Sequence, residues 1–136
     1  MQFLIIEDEA VSRRILHKTL EKYGRCDEAA NGLLALELFT KALHSKAGYD
    51  LVTLDITLHE MNGLDVLLML REMEEAHRIP PPRRTKVIVV TSHSDKDHVN
   101  ACLTAGCNGY IIKPIDPRIV LQSVKAALLK YVNDFF

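Results

Sequence analysis

Phe3-Leu4-Ile5-Ile6-Glu7-Asp8-Glu9 decides how the rest of the chain reads. Four apolar residues end abruptly in three acids. A short run without polar alternation fits a strand covered on both faces, as in a parallel sheet. It is too short for a membrane span or for the apolar stretch of a signal peptide. Moving outward, four further runs appear: Arg25 to Ala29, Leu51 to Leu54, Val87 to Val90 and Tyr110 to Ile112. The second is weak, because Cys26, Glu28 and Ala29 do not specify a strand by themselves.

The stretches between the runs carry helical periodicity. Val11, Ile15 and Tyr23, with Leu16 and Leu20 alongside, form a first stripe. Leu34, Leu38 and Ala42 form a second behind Asn31 as N-cap. Leu64, Leu67, Leu68 and Met73 form a third, and Val99, Cys102 and Leu103 a fourth capped by Ser94. Val120, Val124, Ala127, Leu128 and Tyr131 form a fifth, opening near Pro117. Strands alternating with helices predict right-handed βαβ units, a parallel sheet and an α/β fold. Ile79-Pro80-Pro81-Pro82-Arg83-Arg84 interrupts the rhythm. Consecutive prolines end a helix, so a solvated loop is expected before the fourth strand, remote from ligand chemistry.

Bulk composition narrows the function. The 136 residues fit one domain, with 48% hydrophobic and 26% charged residues, the balance of a globular protein. A net charge of -1 gives no overall attraction to nucleic acid or to an anionic membrane. Three cysteines without a CxxC pair argue against a disulfide framework or a cysteine zinc site, and fit buried thiols in a reducing compartment. A cytoplasmic location is the expectation. His17, His44, His77 and His98 show no partner spacing that suggests a metal site.

Reactive side chains stand at the ends of these runs. The first ends in Glu7-Asp8-Glu9, the third in Asp55, the fourth in Thr91-Ser92 and the fifth in Lys113-Pro114. A parallel sheet brings these ends to one edge. Crowded carboxylates repel, and a hard divalent cation such as Mg2+ relieves that repulsion through oxygen ligands. A cation and Lys113 together can balance a phosphoryl group of charge roughly -1.5 to -2. Asp55 is then the nucleophile, forming an aspartyl phosphate.

The set resembles response-regulator receiver domains of two-component signalling, of the chemotaxis-receiver type. The resemblance runs from Phe3 to Tyr131 through residues 3–9, Leu-Asp-Ile-Thr-Leu-His-Glu-Met-Asn-Gly (54–63), Val-Ile-Val-Val-Thr-Ser (87–92) and Ala-Gly-Cys-Asn-Gly-Tyr-Ile-Ile-Lys-Pro (105–114). It implies a single receiver domain over 1–136. It also implies a flavodoxin-like (βα)5 three-layer sandwich with a parallel sheet of order 2-1-3-4-5. Asp55 becomes the phosphoacceptor. Asp8 would ligate Mg2+ (or Mn2+) directly and Glu7 through water, with Asp55 and the Thr57 backbone carbonyl completing the protein ligands. Thr91 would bond the phosphoryl oxygen and Lys113 would pair with it. Tyr110 stands at the switch aromatic, and Pro114 follows a peptide bond that the family holds cis.

The resemblance further implies a phosphoryl donor that is a histidine kinase or a phosphotransfer protein. An output protein would read the face of the fourth helix, fifth strand and fifth helix, and phosphorylation can drive a homodimer. Direct nucleic-acid binding and membrane insertion are not implied, and catalysis is limited to self-phosphorylation and self-dephosphorylation, so the chain is not read as an enzyme. Departures from the family pattern are His59 where proline is usual and Glu7 where aspartate is commoner. Thr57 and His93 occupy positions that in the family tune hydrolysis of the phosphate. No DNA-binding or enzymatic segment is read after Tyr131, and the apolar Phe135-Phe136 ending leaves a dimer or partner contact open. A phosphohydrolase is disfavoured because Thr57 replaces the acid expected two residues after the nucleophile. A flavin phosphate is disfavoured because Glu7-Asp8-Glu9-Ala10 is acidic where hydroxyls and glycine would be needed.

Overall fold

The structure, a computed structural model, describes residues 1–45, 47–58 and 60–128. Five strands alternate with five helices: β1 Gln2–Ile6, α1 Ala10–Leu20, β2 Arg25–Ala29, α2 Gly32–His44, β3 Leu51–Leu54, α3 Gly63–Ala76, β4 Lys86–Thr91, α4 Lys96–Thr104, β5 Gly109–Ile112 and α5 Pro117–Ala127. The sheet runs β2-β1-β3-β4-β5 with every neighbouring pair parallel. This is the flavodoxin-like order that the resemblance implies.

Strand alternation divides the core into two layers. Leu4, Ile6, Val52, Leu54, Val87 and Val89 face Ala35, Phe39, Val66, Leu67, Leu70 and Cys102 of α2, α3 and α4. Phe3, Ile5, Leu51, Ile88, Val90 and Ile111 face Leu16, Leu20, Val120 and Val124 of α1 and α5. Burial on both faces is why these strands read as continuous apolar runs.

Several sequence expectations shift by a residue. The α2 face is Gly32, Ala35 and Phe39, while Leu34 is exposed. In α1 the buried positions are Ser12, Leu16 and Leu20; Val11 is exposed, and Tyr23 lies beyond the helix. Leu68 and Leu103 also face solvent. The reason is common to all: small or polar residues at the closest helix–sheet contacts carry little hydrophobic signal, so larger neighbours attract the assignment. Asn31 caps α2 as expected, accepting from Leu34 N at 2.8 Å. The cap of α4 is Asp95 rather than Ser94, through a bond from His98 N of 3.0 Å. Tyr131, Phe135, Phe136 and His59 lie outside the described residues.

The proline segment forms a 3-10 turn over Pro81–Arg83. Arg84 is committed to the fold, donating to the Ile79 carbonyl at 3.0 Å and to Glu75 at 2.7 Å. Beside this turn lies a buried ion pair that the sequence did not announce. Glu74 is 1% exposed; its Oε1 meets Arg71 at 2.6 Å and its Oε2 accepts from Thr85 N at 2.7 Å. Arg71 also donates to the carbonyls of Thr85 and Gly106 and to Asn108 Oδ1, tying α3 to β4 and to the turn before β5. Gly106 makes that turn with φ of 100°, a conformation that disfavours side chains. Removing one member of a buried pair strands the other charge. Arg71→Met is therefore expected to cost about 3–5 kcal/mol by urea denaturation, and the Arg71→Met/Glu74→Met double variant distinctly less.

Candidate functional site

The sheet delivers its C-terminal ends to one edge, and backbone bonds continue one residue past the strands. Glu7 N donates to Ala29 O at 3.0 Å, Asp55 N to Ile6 O at 3.0 Å and Lys113 N to Thr91 O at 2.8 Å. The side chains that matter are thus borne by backbone the sheet already fixes. Gly63, the first residue of α3, closes the site from below. A Cβ there would stand 2.5 Å from Ile56 Cα and would also strike the Asp55 carbonyl, so only glycine permits this approach.

Glu7 is fully buried and Asp55 is 2% exposed. Between them sits Lys113, whose Nζ is 2.8 Å from Glu7 Oε1 and 3.1 Å from Asp55 Oδ2. The other Asp55 oxygen, Oδ1, accepts from Thr57 N at 2.9 Å and from the Thr57 hydroxyl at 2.8 Å. Ligand atoms of Glu7, Asp8 and Asp55 all lie within 4.8 Å of one another. Glu9, the third acid of the run, is used differently. It caps α1 by accepting from Val11 N at 2.8 Å and Ser12 N at 3.1 Å, and the Ser12 hydroxyl holds its carboxyl below the usual range.

Burial and charge set the ionisation. Desolvation pushes the Glu7 carboxyl up to about 7, against the pull of Lys113 and with the help of Asp55. Burial works against the Asp55 charge too, but the Thr57 N–H, a proton shared from Glu7, the Thr57 hydroxyl and Lys113 outweigh it and hold Asp55 below the ordinary range. Burial likewise opposes the Lys113 charge, and Glu7 and Asp55 outweigh it, so the ammonium is held above its ordinary range. One ammonium against three carboxylates leaves surplus negative charge, partly met by a proton on Glu7. That donor set, all oxygen and crowded, fits a hard divalent cation such as Mg2+.

Thr91 is fully buried at the end of β4, its hydroxyl accepting from His93 N at 3.3 Å. Tyr110 is half-buried and donates its hydroxyl to the His93 carbonyl at 2.7 Å. The Lys113–Pro114 peptide is cis. The sheet therefore gathers Glu7, Asp8, Asp55, Thr57 and Lys113, with Thr91 and Tyr110 linked through the loop that comes after β4. Sequence reading missed Arg13, which donates to the carbonyls of Glu7 at 3.0 Å and Asp8 at 3.4 Å and so braces the acidic loop. No motif marks it; its role arises because the first turn of α1 passes beside that loop. His93 and His98, which the sequence reading left unpaired, stack with ring centroids 4.4 Å apart.

Residues 3–125 match the family described as response regulator receiver domain. A chemotaxis protein CheY homolog of Campylobacter jejuni is 33% identical over 130 residues, covering 94% of this chain and 92% of the relative. A CheY-like receiver domain protein from Methanospirillum hungatei JF-1 superposes with a TM-score of 0.75 at 28% identity, covering 95% of this chain and 94% of that one. The CheX-CheY-BeF3-Mg2+ complex from Borrelia burgdorferi contains a chain with a TM-score of 0.77 at 27% identity, covering 93% and 87% respectively. Among the described residues, no helix is long and apolar enough to cross a membrane.

The raised Glu7 carboxyl has a pH signature in the metal-free protein. A carboxyl raised from 4.5 to about 7 stabilises the fold fully below 4.5 and loses that contribution as pH rises through 7. The lowered Asp55 acts only in more acidic solution, where its contribution is lost as pH falls. Between pH 4.5 and 7.5 the wild type should thus lose on the order of 3 kcal/mol relative to Glu7→Gln, read as the difference in urea stability in chelator. A flat difference would contradict the assignment.

Proposed function

The chain belongs to the response regulator receiver domain family, and we propose that Asp55 is its phosphoacceptor, loaded by a histidine kinase or a phosphotransfer protein in a reaction that requires Mg2+ (or Mn2+). The observation that carries this reading is Lys113, held between Glu7 and Asp55 in a buried carboxylate cluster. In the transfer, the P–N bond of a phosphohistidine breaks and a P–O bond to Asp55 forms, with the imidazole as leaving group. Asp55 is suited to attack because its bonding keeps it ionised despite burial. Thr57 grips Oδ1 with two donors and so fixes the carboxylate rotamer. The metal, held by Glu7, Asp8, Asp55 and the Thr57 carbonyl, would supply positive charge to the phosphoryl oxygens. Lys113 supplies the rest, and the Thr91 hydroxyl donates to a phosphoryl oxygen.

The switch rests on the Thr91–His93–Tyr110 linkage. Drawing Thr91 toward the phosphoryl group takes its hydroxyl from His93 N and opens space beside β4. Tyr110 then leaves the His93 carbonyl and turns inward, remodelling the face of α4, β5 and α5. Leu103, Ile112 and Ile119 are 53%, 40% and 49% exposed on those three elements and supply apolar surface for an output protein. A second phosphorylated copy is another occupant of that face. The domain signals, and its catalysis is confined to its own phosphoryl group.

The Borrelia complex pairs a receiver with BeF3, Mg2+ and a partner protein, which supports the same arrangement here. Incubation with acetyl phosphate and Mg2+ should place one acid-labile phosphoryl group on each chain, detected by intact mass. Asp55→Asn should abolish it, and chelation of Mg2+ should do the same. Steady multiple-turnover release of phosphate from unrelated phosphomonoesters would overturn the receiver reading in favour of a hydrolase.

A further inference from the structure

The loop after β4 and the first turn of α4 gather two imidazoles and a carboxylate outside the carboxylate cluster. His93, Asp95 and His98 each offer a ligand atom, all within 4.8 Å of one another. The two rings lie 4.4 Å apart, with 11° between their planes. Asp95 divides its oxygens: Oδ2 caps α4 through His98 N at 3.0 Å, while Oδ1 stands 3.9 Å from His98 Nδ1. His93 commits its backbone N–H to Thr91 and its carbonyl to Tyr110, which leaves an exposed imidazole stacked on His98. A cleft of about 360 Å³ opens alongside, lined by Thr57, Glu60, Asn62, His93 and His98 among others.

We propose that His93, Asp95 and His98 form a second metal site, which takes a divalent transition ion of the zinc–nickel class and is distinct from the carboxylate cluster around Asp55. Two imidazoles and one carboxylate suit borderline ions, whereas Mg2+ prefers oxygen throughout. Tetrahedral Zn2+ with bonds of about 2.0–2.1 Å would bring its ligand atoms roughly 3.3 Å apart. Reaching that spacing from the present one requires the two stacked rings to turn their edges toward a common point. The other close histidine pair, His44 and His77, has rings 5.3 Å apart but, among the described residues, no third metal-binding group gathered with it. The proposal does not depend on phosphorylation of Asp55.

The test is a calorimetric titration of Zn2+ into the full chain, stripped with chelator and then held in excess Mg2+ to occupy the carboxylate cluster. One saturable equivalent is expected, with a Kd of about 10 µM or tighter. His93→Gln, His98→Gln and Asp95→Asn should each weaken it by about tenfold or more. Asparagine keeps the α4 cap, so that variant separates ligation from helix stability, and unchanged urea midpoints should show that all three remain folded. Cu2+ in place of Zn2+ should give an electron paramagnetic resonance spectrum with coupling to two imidazole nitrogens. Absence of saturable Zn2+ binding below about 100 µM, or a smaller loss in any of the three variants, overturns the site.

Discussion

The contact on which the site depends is Lys113 between Glu7 and Asp55. Two nearly inaccessible carboxylates at the end of a parallel sheet would each carry a heavy desolvation cost. An ammonium within 2.8 Å of one and 3.1 Å of the other offsets part of that cost and draws β1, β3 and β5 together at their exits. The compensation is incomplete, which is why Glu7 holds its proton to about pH 7. The surplus negative charge that remains favours a divalent cation at this cluster. A fully neutralised cluster would have no electrostatic reason to accept one.

The two ends of the sheet divide the work. At the C-terminal edge, buried charge is arranged with a deficit. At the opposite edge, Arg71 and Glu74 bury charge with nearly every donor and acceptor matched, using the carbonyls of Thr85 and Gly106 and the side chain of Asn108. Asn108 extends the logic: its Oδ1 accepts from Val87 N at 2.8 Å while its own N–H donates to the Val87 carbonyl at 2.7 Å, pinning the start of β5 to β4. Rigid anchoring at one end lets the other tolerate an unbalanced cluster on the same strands.

Legibility in the sequence tracked how local each signal was. Glu7, Asp8, Asp55, Thr91 and Lys113 each stand directly at the end of an apolar run, so the parallel topology alone predicts that they converge. β2 was faint because an edge strand with Arg25, Asp27 and Glu28 lacks two covered faces; its pairing with β1 from Gln2 to Ile6 is a tertiary fact. The helix faces were displaced where Gly32, Ala35 or Ser12 makes the closest contact. Arg13 was invisible because it acts on backbone carbonyls, which no side-chain pattern encodes. His93 and His98 are five positions apart across a loop and a helix start, where neither strand nor helix periodicity applies.

The linkage between Thr91 and Tyr110 runs through a backbone rather than through side chains. His93 presents its N–H to the Thr91 hydroxyl and its carbonyl to the Tyr110 hydroxyl. The two bonds differ in strength: 3.3 Å at Thr91 is long for a hydrogen bond, whereas 2.7 Å at Tyr110 is short. The bond to the Thr91 hydroxyl is therefore the weaker of the two links that join Thr91 to Tyr110 through residue 93. Because both contacts belong to the main chain, the side chain at position 93 is not constrained by the relay. Variation there leaves intact the connection between the buried threonine and the aromatic ring.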